Sequence, residues 1–368
     1  MKEKRWLTLF INAENVHLTK DVGMIPYVLS KNFNYSSTLA SYKAGEYPYL
    51  LEEVKGLQQS FIKRITGNET LDGLLYLLFN FYKYDILQVY HFTNQSLIWC
   101  YLFKILKLGK CKTYLKLDAN ATIKELKFEF LKSLVIKHIV GTIDLISVET
   151  KSLHDYLNTR WKRNIEYIPN GFYDNEKEAH VDFEQKENII LTVGRIGSYQ
   201  KNSEVLCEAF EKLSASNNSW KLNVIGPIET EFESYINSFF LKNPELRNRI
   251  SFKGTISDRV ELYQNYQKAK IFVLTSRWEG FPLVFLEALR FGCFIISSDV
   301  DAALDITNNG ICGSIFQKGN SDELSNTLLS TIQNPIILKS AFAKSGEFVY
   351  ENFYWPRICA QIDILLHQ

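Results

Sequence analysis

The chain has 368 residues, more than one hydrophobic core usually serves, so two domains are expected. A composition 46% hydrophobic and 23% charged belongs to a folded globular protein and excludes a disordered or fibrous one. Net charge is only +1 but unevenly spread: residues 1–167 carry 23 Lys and Arg against 16 Asp and Glu, and the remainder carries 19 against 25. That polarity points to an anionic partner for the first half. The opening "MKEKRWLTLFIN" has too short an apolar run for a signal peptide, and no stretch offers about 18 uncharged apolar residues for a membrane span. The six cysteines (100, 111, 207, 293, 312 and 359) form no C-x-x-C pair and read as reduced, buried thiols of a cytoplasmic protein.

In chain order, strands are expected at "WLTLFIN" (6–12), "STLASY" (37–42), "DILQVYHF" (85–92), "KTYLKL" (112–117), "IDLISVE" (143–149) and "IEYIP" (165–169). Helical patterns fall between them at 19–32, 71–82 and 123–140. A second series of strands runs "NIILTVG" (188–194), "WKLNVIG" (220–226), "RISFKG" (249–254), "KIFVLTS" (270–276) and "CFIISSD" (293–299). Near-continuous apolar strands alternating with helices indicate parallel sheets covered on both faces. Two series imply two doubly wound α/β domains, joined through the polar segment 167–188. The densest basic stretch, "YLFKILKLGKCKTYLK", holds Lys104, Lys107, Lys110, Lys112 and Lys116 with no acid. Lys104 and Lys107 beside Phe103, Leu106 and Leu108 suit a weak contact with a membrane surface, or else a solvated helix flank.

Ligands of open α/β sheets bind beyond the carboxyl ends of the strands, and in the second half those ends carry "GRIGSYQK", "GPIE", "GTIS" and "SRWEGFP". In the last of these, Glu279 sits in a loop and Pro282 suits the first position of a helix that stops near Gly292. The positive end of such a helix suits an anion. Glu287 stands inside it, about 7.5 Å along the axis. The two carboxylates either grip an elongated ligand or serve as a cap and as a partner of Arg290 at i+3. Arg195 and Lys201 flank a turn at a strand end and form either an anion site of diphosphate size or two surface side chains. "DVD" at 299–301 follows a strand late in the second half and reads as a turn rather than a metal motif. The histidines at 17, 138, 154, 180 and 367 lack metal-ligand spacing.

"IPNG", "VGRIGSYQKN", "FKGTIS", "LYQNYQKAKIFVLTSRWEGFPLVFLEAL" and "GNSDEL", in this order and spacing, resemble the retaining glycosyltransferases of family 4, the glycosyl transferases group 1. The resemblance covers residues 165–330, while residues 1–164 share only the strand–helix rhythm. It implies a GT-B fold, two Rossmann-like domains facing across a cleft: an acceptor-binding domain (1–170), joined by a C-terminal helix at about 353–368 that crosses back, and a donor-binding domain (171–352). It also implies a nucleotide-sugar donor held by Arg195 and Lys201 at the diphosphate and by Glu279 near the sugar. Glu287 would lie on the ribose hydroxyls, Thr255 and Ile256 at the base, with backbone from Gly280, Phe281, Pro282, Leu283 and Val284. Many relatives have glycine in place of Pro282, which lacks an N–H donor, and glycine in place of Asn202. In the first domain, Gly23 would permit backbone approach to donor phosphate or acceptor. Asp118 would orient a sugar hydroxyl, with His91 as the next candidate.

The expectation is a metal-independent, hexosyltransferase-type enzyme with no cofactor. Its donor would be a nucleotide-sugar, a UDP-sugar by preference, and its acceptor a glycan or lipid-linked saccharide of cell-surface polysaccharide biosynthesis. It would be cytoplasmic or peripheral on the inner membrane face, through Lys104, Lys107 and Lys110, with no nucleic-acid partner. A catalytically silent sugar-nucleotide-binding subunit and a GT-B-shaped epimerase are the alternatives. A dinucleotide-dependent oxidoreductase is disfavoured, since no G-x-G-x-x-G follows the first strand.

Overall fold

The computed structural model of the chain describes residues 3–119, 133–161, 163–174 and 181–367. Residues 123–132 of the expected helix, residues 175–180 of the expected junction and His180 lie outside them. The chain divides into two units, Met1–Tyr173 with Phe353–Gln368, and Asp174–Asn352.

The first unit is built on seven parallel strands, β1 (Lys4–Leu9), β2 (Tyr35–Ser41), β3 (Gln58–Phe61), β4 (Ile86–Tyr90), β5 (Lys112–Lys116), β6 (Leu145–Val148) and β7 (Glu166–Tyr167). Their order is β3-β2-β1-β4-β5-β6-β7. Because side chains alternate across a strand, each strand feeds two cores. Leu7, Leu87, Val89, Leu115 and Ile146 pack on one face. Trp6, Ile86, Tyr90, Tyr114 and Leu145 pack on the other, under the helices Asp21–Asn32 and Trp355–His367. The last helix thus belongs to the first unit. Trp355 and Phe353 bond to Phe172 through backbone, Lys4 Nζ lies 2.7 Å from Asp363, and Tyr35 donates to the same carboxylate.

The second unit has six parallel strands, β8 (Glu187–Val193), β9 (Lys221–Ile225), β10 (Ile250–Phe252), β11 (Ala269–Leu274), β12 (Phe294–Ser298) and β13 (Gly313–Phe316), in the order β10-β9-β8-β11-β12-β13. β12 is buried at every residue and β11 at all but Lys270, as strands covered on both faces must be. In each unit the strand order reverses once, between β1 and β4 and between β8 and β11. Such a reversal leaves a crevice at the carboxyl ends of the two strands.

Two strands escape the sequence pattern. β3, "QQSF", is a half-exposed edge strand without apolar alternation, and β13 is a four-residue run opened by glycine. All six cysteines are free and buried, and no described helix is long and apolar enough to cross a membrane.

The basic stretch differs from its reading as a surface. Lys116 is fully buried. Lys104 lies 2.5 Å from Asp144 and Lys107 3.6 Å from Asp85, their side chains only 15% and 14% exposed. The acids come from residues distant in sequence, which a local count of charges misses. Lys110 remains exposed.

Candidate active site

At the β8/β11 reversal the loops after both strands meet. Gly194 follows β8, and its N–H donates to Ile225 O at 2.9 Å. Gly226 follows β9 with φ of 135°, and a Cβ there would stand 1.8 Å from Gly194 O. Only glycine allows the two turns to touch so closely. The third loop joins them where Gly226 N–H donates to Gly254 O at 2.8 Å, which brings Thr255 and Ile256 to the same rim. Arg195 donates to Gln200 Oε1 at 2.8 Å, and Gln200 Nε2 donates to Trp278 O at 3.0 Å. Lys201 Nζ lies 2.6 Å from Glu279 Oε1, which also accepts the Ser276 hydroxyl at 2.7 Å. Arg195, Lys201 and Glu279 therefore converge, with Glu279 only 9% exposed.

Asn202, one residue after the lysine, has φ of 53° and caps the helix Ser203–Ser214. Asparagine tolerates this left-handed conformation better than most residues, so it can stand where glycine would also be at ease. Arg277 Nη2 donates to its Oδ1 at 2.8 Å, tying the two loops together again.

The helix Leu283–Arg290 begins one residue later than expected, with Pro282 as the N-cap in extended conformation rather than the first helical residue. A proline has no N–H to offer at that cap. The N–H groups of Leu283 and Val284 open the helix, where intrahelical partners are lacking, and Gly280 and Phe281 lead into it. Glu287 does not pair with Arg290. Its Oε2 accepts the Tyr266 hydroxyl at 2.7 Å, while Arg290 lies 3.3 Å from Asp174. Burial raises the Glu287 carboxyl above its ordinary range, against the Tyr266 hydrogen bond and the fields of Arg259 and Arg290. A wider cavity of about 540 Å³ lies at the starts of β8 and β9, beside Glu187 and Lys221. It holds none of the converging residues, so the carboxyl-end rim is the candidate site.

In the first unit, β4 and β5 are followed by residues with left-handed backbone, His91 (φ 59°) and Asp118 (φ 43°). Their side chains, about half exposed, approach to 3.9 Å. His17 comes near through Phe10, whose ring centroid lies 5.3 Å from that of His17 and 6.1 Å from that of His91. Burial, with Lys20 beside it, lowers the His17 pKa. Gly23 is buried within the helix Asp21–Asn32, and a Cβ there would meet Leu18 O at 2.3 Å. The close approach it permits is to the chain's own backbone. Asp299 of "DVD" accepts the Lys318 N–H at 2.8 Å, in a turn.

Several residues beside these groups were not given a site role in the sequence: Ser276, Gln200, Tyr266, Glu149, and Lys116, which was read only as part of the basic stretch. Of these, Lys116 had a readable signal, a lone cation inside the apolar strand "TYLKL". Glu149 ends "ISVE" in the same manner.

Residues 174–347 match the family model of glycosyl transferases group 1. The amylovoran biosynthesis glycosyltransferase AmsD of Erwinia amylovora is 23% identical over 286 residues, 74% of this chain and 74% of its own. The capsular polysaccharide biosynthesis glycosyltransferase CapM of Staphylococcus aureus is 28% identical over 173 residues, 46% of this chain and 44% of its own. The lipopolysaccharide 1,6-galactosyltransferase of Escherichia coli K12 is 29% identical over 154 residues, 41% and 42% of the two chains. The match thus spans less than half the length of the last two. Among solved structures, Anabaena HepE in complex with UDP matches 100% of both chains with a TM-score of 0.74 at 14% identity. A glycosyltransferase of Rickettsia africae gives 0.74 at 17% identity, over 99% of this chain and 98% of its own. The fold is that of the GT-B glycosyltransferases, with two Rossmann-like halves.

Proposed function

Residues 174–347 match the family model of the glycosyl transferases group 1, and on that premise we propose that the chain moves a hexose from a nucleotide-sugar to a glycan or lipid-linked acceptor of cell-surface polysaccharide biosynthesis. The observation that carries the reading is the meeting of Arg195 and Lys201 with Glu279 at the β8/β11 strand ends, just before a helix N-terminus. Two cations and a helix dipole are what a departing diphosphate needs. Polysaccharide and lipopolysaccharide enzymes among the relatives, and UDP bound to HepE, support the class of acceptor and a UDP-sugar as donor.

In this reading Arg195 and Lys201 hold the diphosphate, and Lys201 exchanges part of its contact with Glu279 for phosphate oxygen. Glu279 faces the donor sugar, Glu287 accepts from the ribose hydroxyls, and Thr255 and Ile256 line the base. The bond from the sugar's anomeric carbon to the diphosphate breaks while the acceptor oxygen bonds on the same face. The departing oxygen takes the acceptor's proton, so configuration is retained and no protein base is assigned. Asp118, beside His91, orients the acceptor hydroxyl. The first unit meets the cytoplasmic membrane face through exposed Phe79, Tyr82, Ile105 and Leu108 with Lys110, in place of the paired Lys104 and Lys107.

The test is nucleotide release from a panel of UDP-, GDP- and dTDP-hexoses, with and without lipid-linked glycans extracted from membranes. Acceptor-dependent release from one donor, undiminished by EDTA and lost in Lys201→Ala, is expected. Binding of UDP without release from any donor would mean a silent subunit, and abolition by EDTA would mean a metal-dependent enzyme.

A further inference from the structure

Behind the exposed pair His91–Asp118 lies a buried cluster of three ionisable side chains. Lys116, the last residue of β5, is fully buried, with Nζ 2.6 Å from Glu149 Oε1 and 3.5 Å from Asp21 Oδ2. Glu149, one residue past β6, is 1% exposed. It accepts the backbone N–H of Asp118 on Oε1 at 3.0 Å and that of Ala119 on Oε2 at 3.1 Å. Lys116 O in turn accepts the His91 N–H at 2.9 Å. Both members of the exposed pair are therefore anchored to one lysine, His91 by its main chain and Asp118 through Glu149.

The anchoring has something to hold. A left-handed backbone is strained for a residue other than glycine, and both His91 and Asp118 adopt it. Two amide bonds to a carboxylate are charge-assisted and oppose that strain. The cluster is not built for stability alone. Burying ionisable groups is expensive: burial raises the Asp21 carboxyl to about 7 and raises that of Glu149 as well, and Asp21 Oδ2 accepts no hydrogen bond. Burial opposes the charge on Lys116, yet the fields of Glu149 and Asp21 outweigh it and raise its pKa, so the ammonium persists.

We propose that Glu149, fixed by Lys116, is a positioning residue that holds the Asp118–Ala119 turn and so aims the Asp118 carboxylate beside His91. This rests on the reading of Asp118 as the group that orients the acceptor hydroxyl. Asp118 touches the acceptor, and Glu149 acts only through it.

The variants Glu149→Gln, Asp118→Asn and their double are compared in the full chain. An amide at 149 keeps one acceptor oxygen but sets an NH2 group against the remaining backbone donor or the Lys116 ammonium. In Glu149→Gln, hydrogen exchange at the amides of Asp118 and Ala119 is expected to speed up at least tenfold. UDP affinity, a property of the second unit, should stay within twofold of the parent. With the nucleotide-hexose and lipid-linked glycan that give turnover, kcat should fall tenfold or more. Adding Glu149→Gln to Asp118→Asn should cost less than twofold further, because groups acting through one another are not additive. Unchanged exchange at the two amides, or an additive loss in the double variant, would overturn the positioning role. Full activity in Asp118→Asn with slow transfer in Glu149→Gln would instead overturn the acceptor role of Asp118, and the proposal with it. Where Glu149→Gln does not fold, Lys116→Met with Glu149→Met removes both charges together and is read by the same exchange and kinetic comparison.

Discussion

Tyr266 is fully buried, and its hydroxyl is spent on Glu287, the carboxylate assigned to the ribose. A hydrogen bond to a charged group is worth about 1.5–3 kcal/mol, so its loss should be felt by any ligand that relies on that charge. Tyr266→Phe is expected to weaken UDP binding about tenfold by calorimetry while leaving kcat at saturating donor nearly intact. The pH dependence gives the sign independently. Burial already raises the Glu287 pKa and the tyrosine pulls it back down. Removing the hydroxyl therefore raises it further. Ribose hydroxyls donate to the ionised carboxylate, so affinity falls as pH drops through that pKa, and the fall must begin at higher pH in the variant. Equal affinity with an unshifted acid limb would separate Glu287 from the ribose.

Between β8 and the helix Ser203–Ser214, the loop carrying Arg195 and Lys201 depends on backbone that few residues adopt. Asn202 caps the helix at φ 53° and receives Arg277. Asn202→Ala should lose about 2 kcal/mol of stability, part from left-handed strain and part from the broken bond. Asn202→Gly, which relieves the strain but not the bond, should lose less than about 1 kcal/mol. Denaturant midpoints decide it, and equal losses would assign the whole effect to Arg277. This loop also shows what a sequence conveys. The apolar runs "NIILTVG" and "KIFVLTS" and the turn residues between them made the strands and the rim legible, because hydrophobic pattern and turn chemistry are local. β3 was not legible, since an exposed edge strand need not be apolar. Neither was the partner of Glu287, which comes from the helix Arg259–Lys268 rather than from the turn beside it. Pairing at i+3 is the natural local guess, and tertiary packing overrides it. The Lys116–Glu149–Asp21 cluster escaped for the same reason, as its three residues come from separate strand ends and a helix start.

Local charge counting had its largest consequence for the proposed membrane contact. The excess of cations in residues 1–167 is real, yet Lys104, Lys107 and Lys116 neutralise Asp144, Asp85 and Glu149 inside the first unit. Beside the exposed Lys110 the unit presents large apolar side chains, Ile105 at 53% and Leu108 at 83%, with Phe79 at 69% and Tyr82 at 58% on the segment before β4. An interfacial contact made by such side chains draws on area as well as charge, whereas one made by lysines alone is screened within about 10 Å at 0.1 M salt. The two contacts respond differently to salt. Sedimentation with vesicles containing phosphatidylglycerol should therefore show binding that falls only severalfold between low salt and 0.5 M sodium chloride. Phe79→Ser with Leu108→Asn, the latter chosen because Leu108 has φ of 50°, should weaken it about tenfold, as two large apolar side chains are worth about 1.5–3 kcal/mol each when fully buried. Lys104→Gln should leave binding unchanged and lower the melting temperature instead, because its ammonium holds Asp144 rather than lipid. If Lys104→Gln abolished vesicle binding while the apolar pair did not, charge would be the anchor after all, and the ion pair with Asp144 would have to open at the membrane.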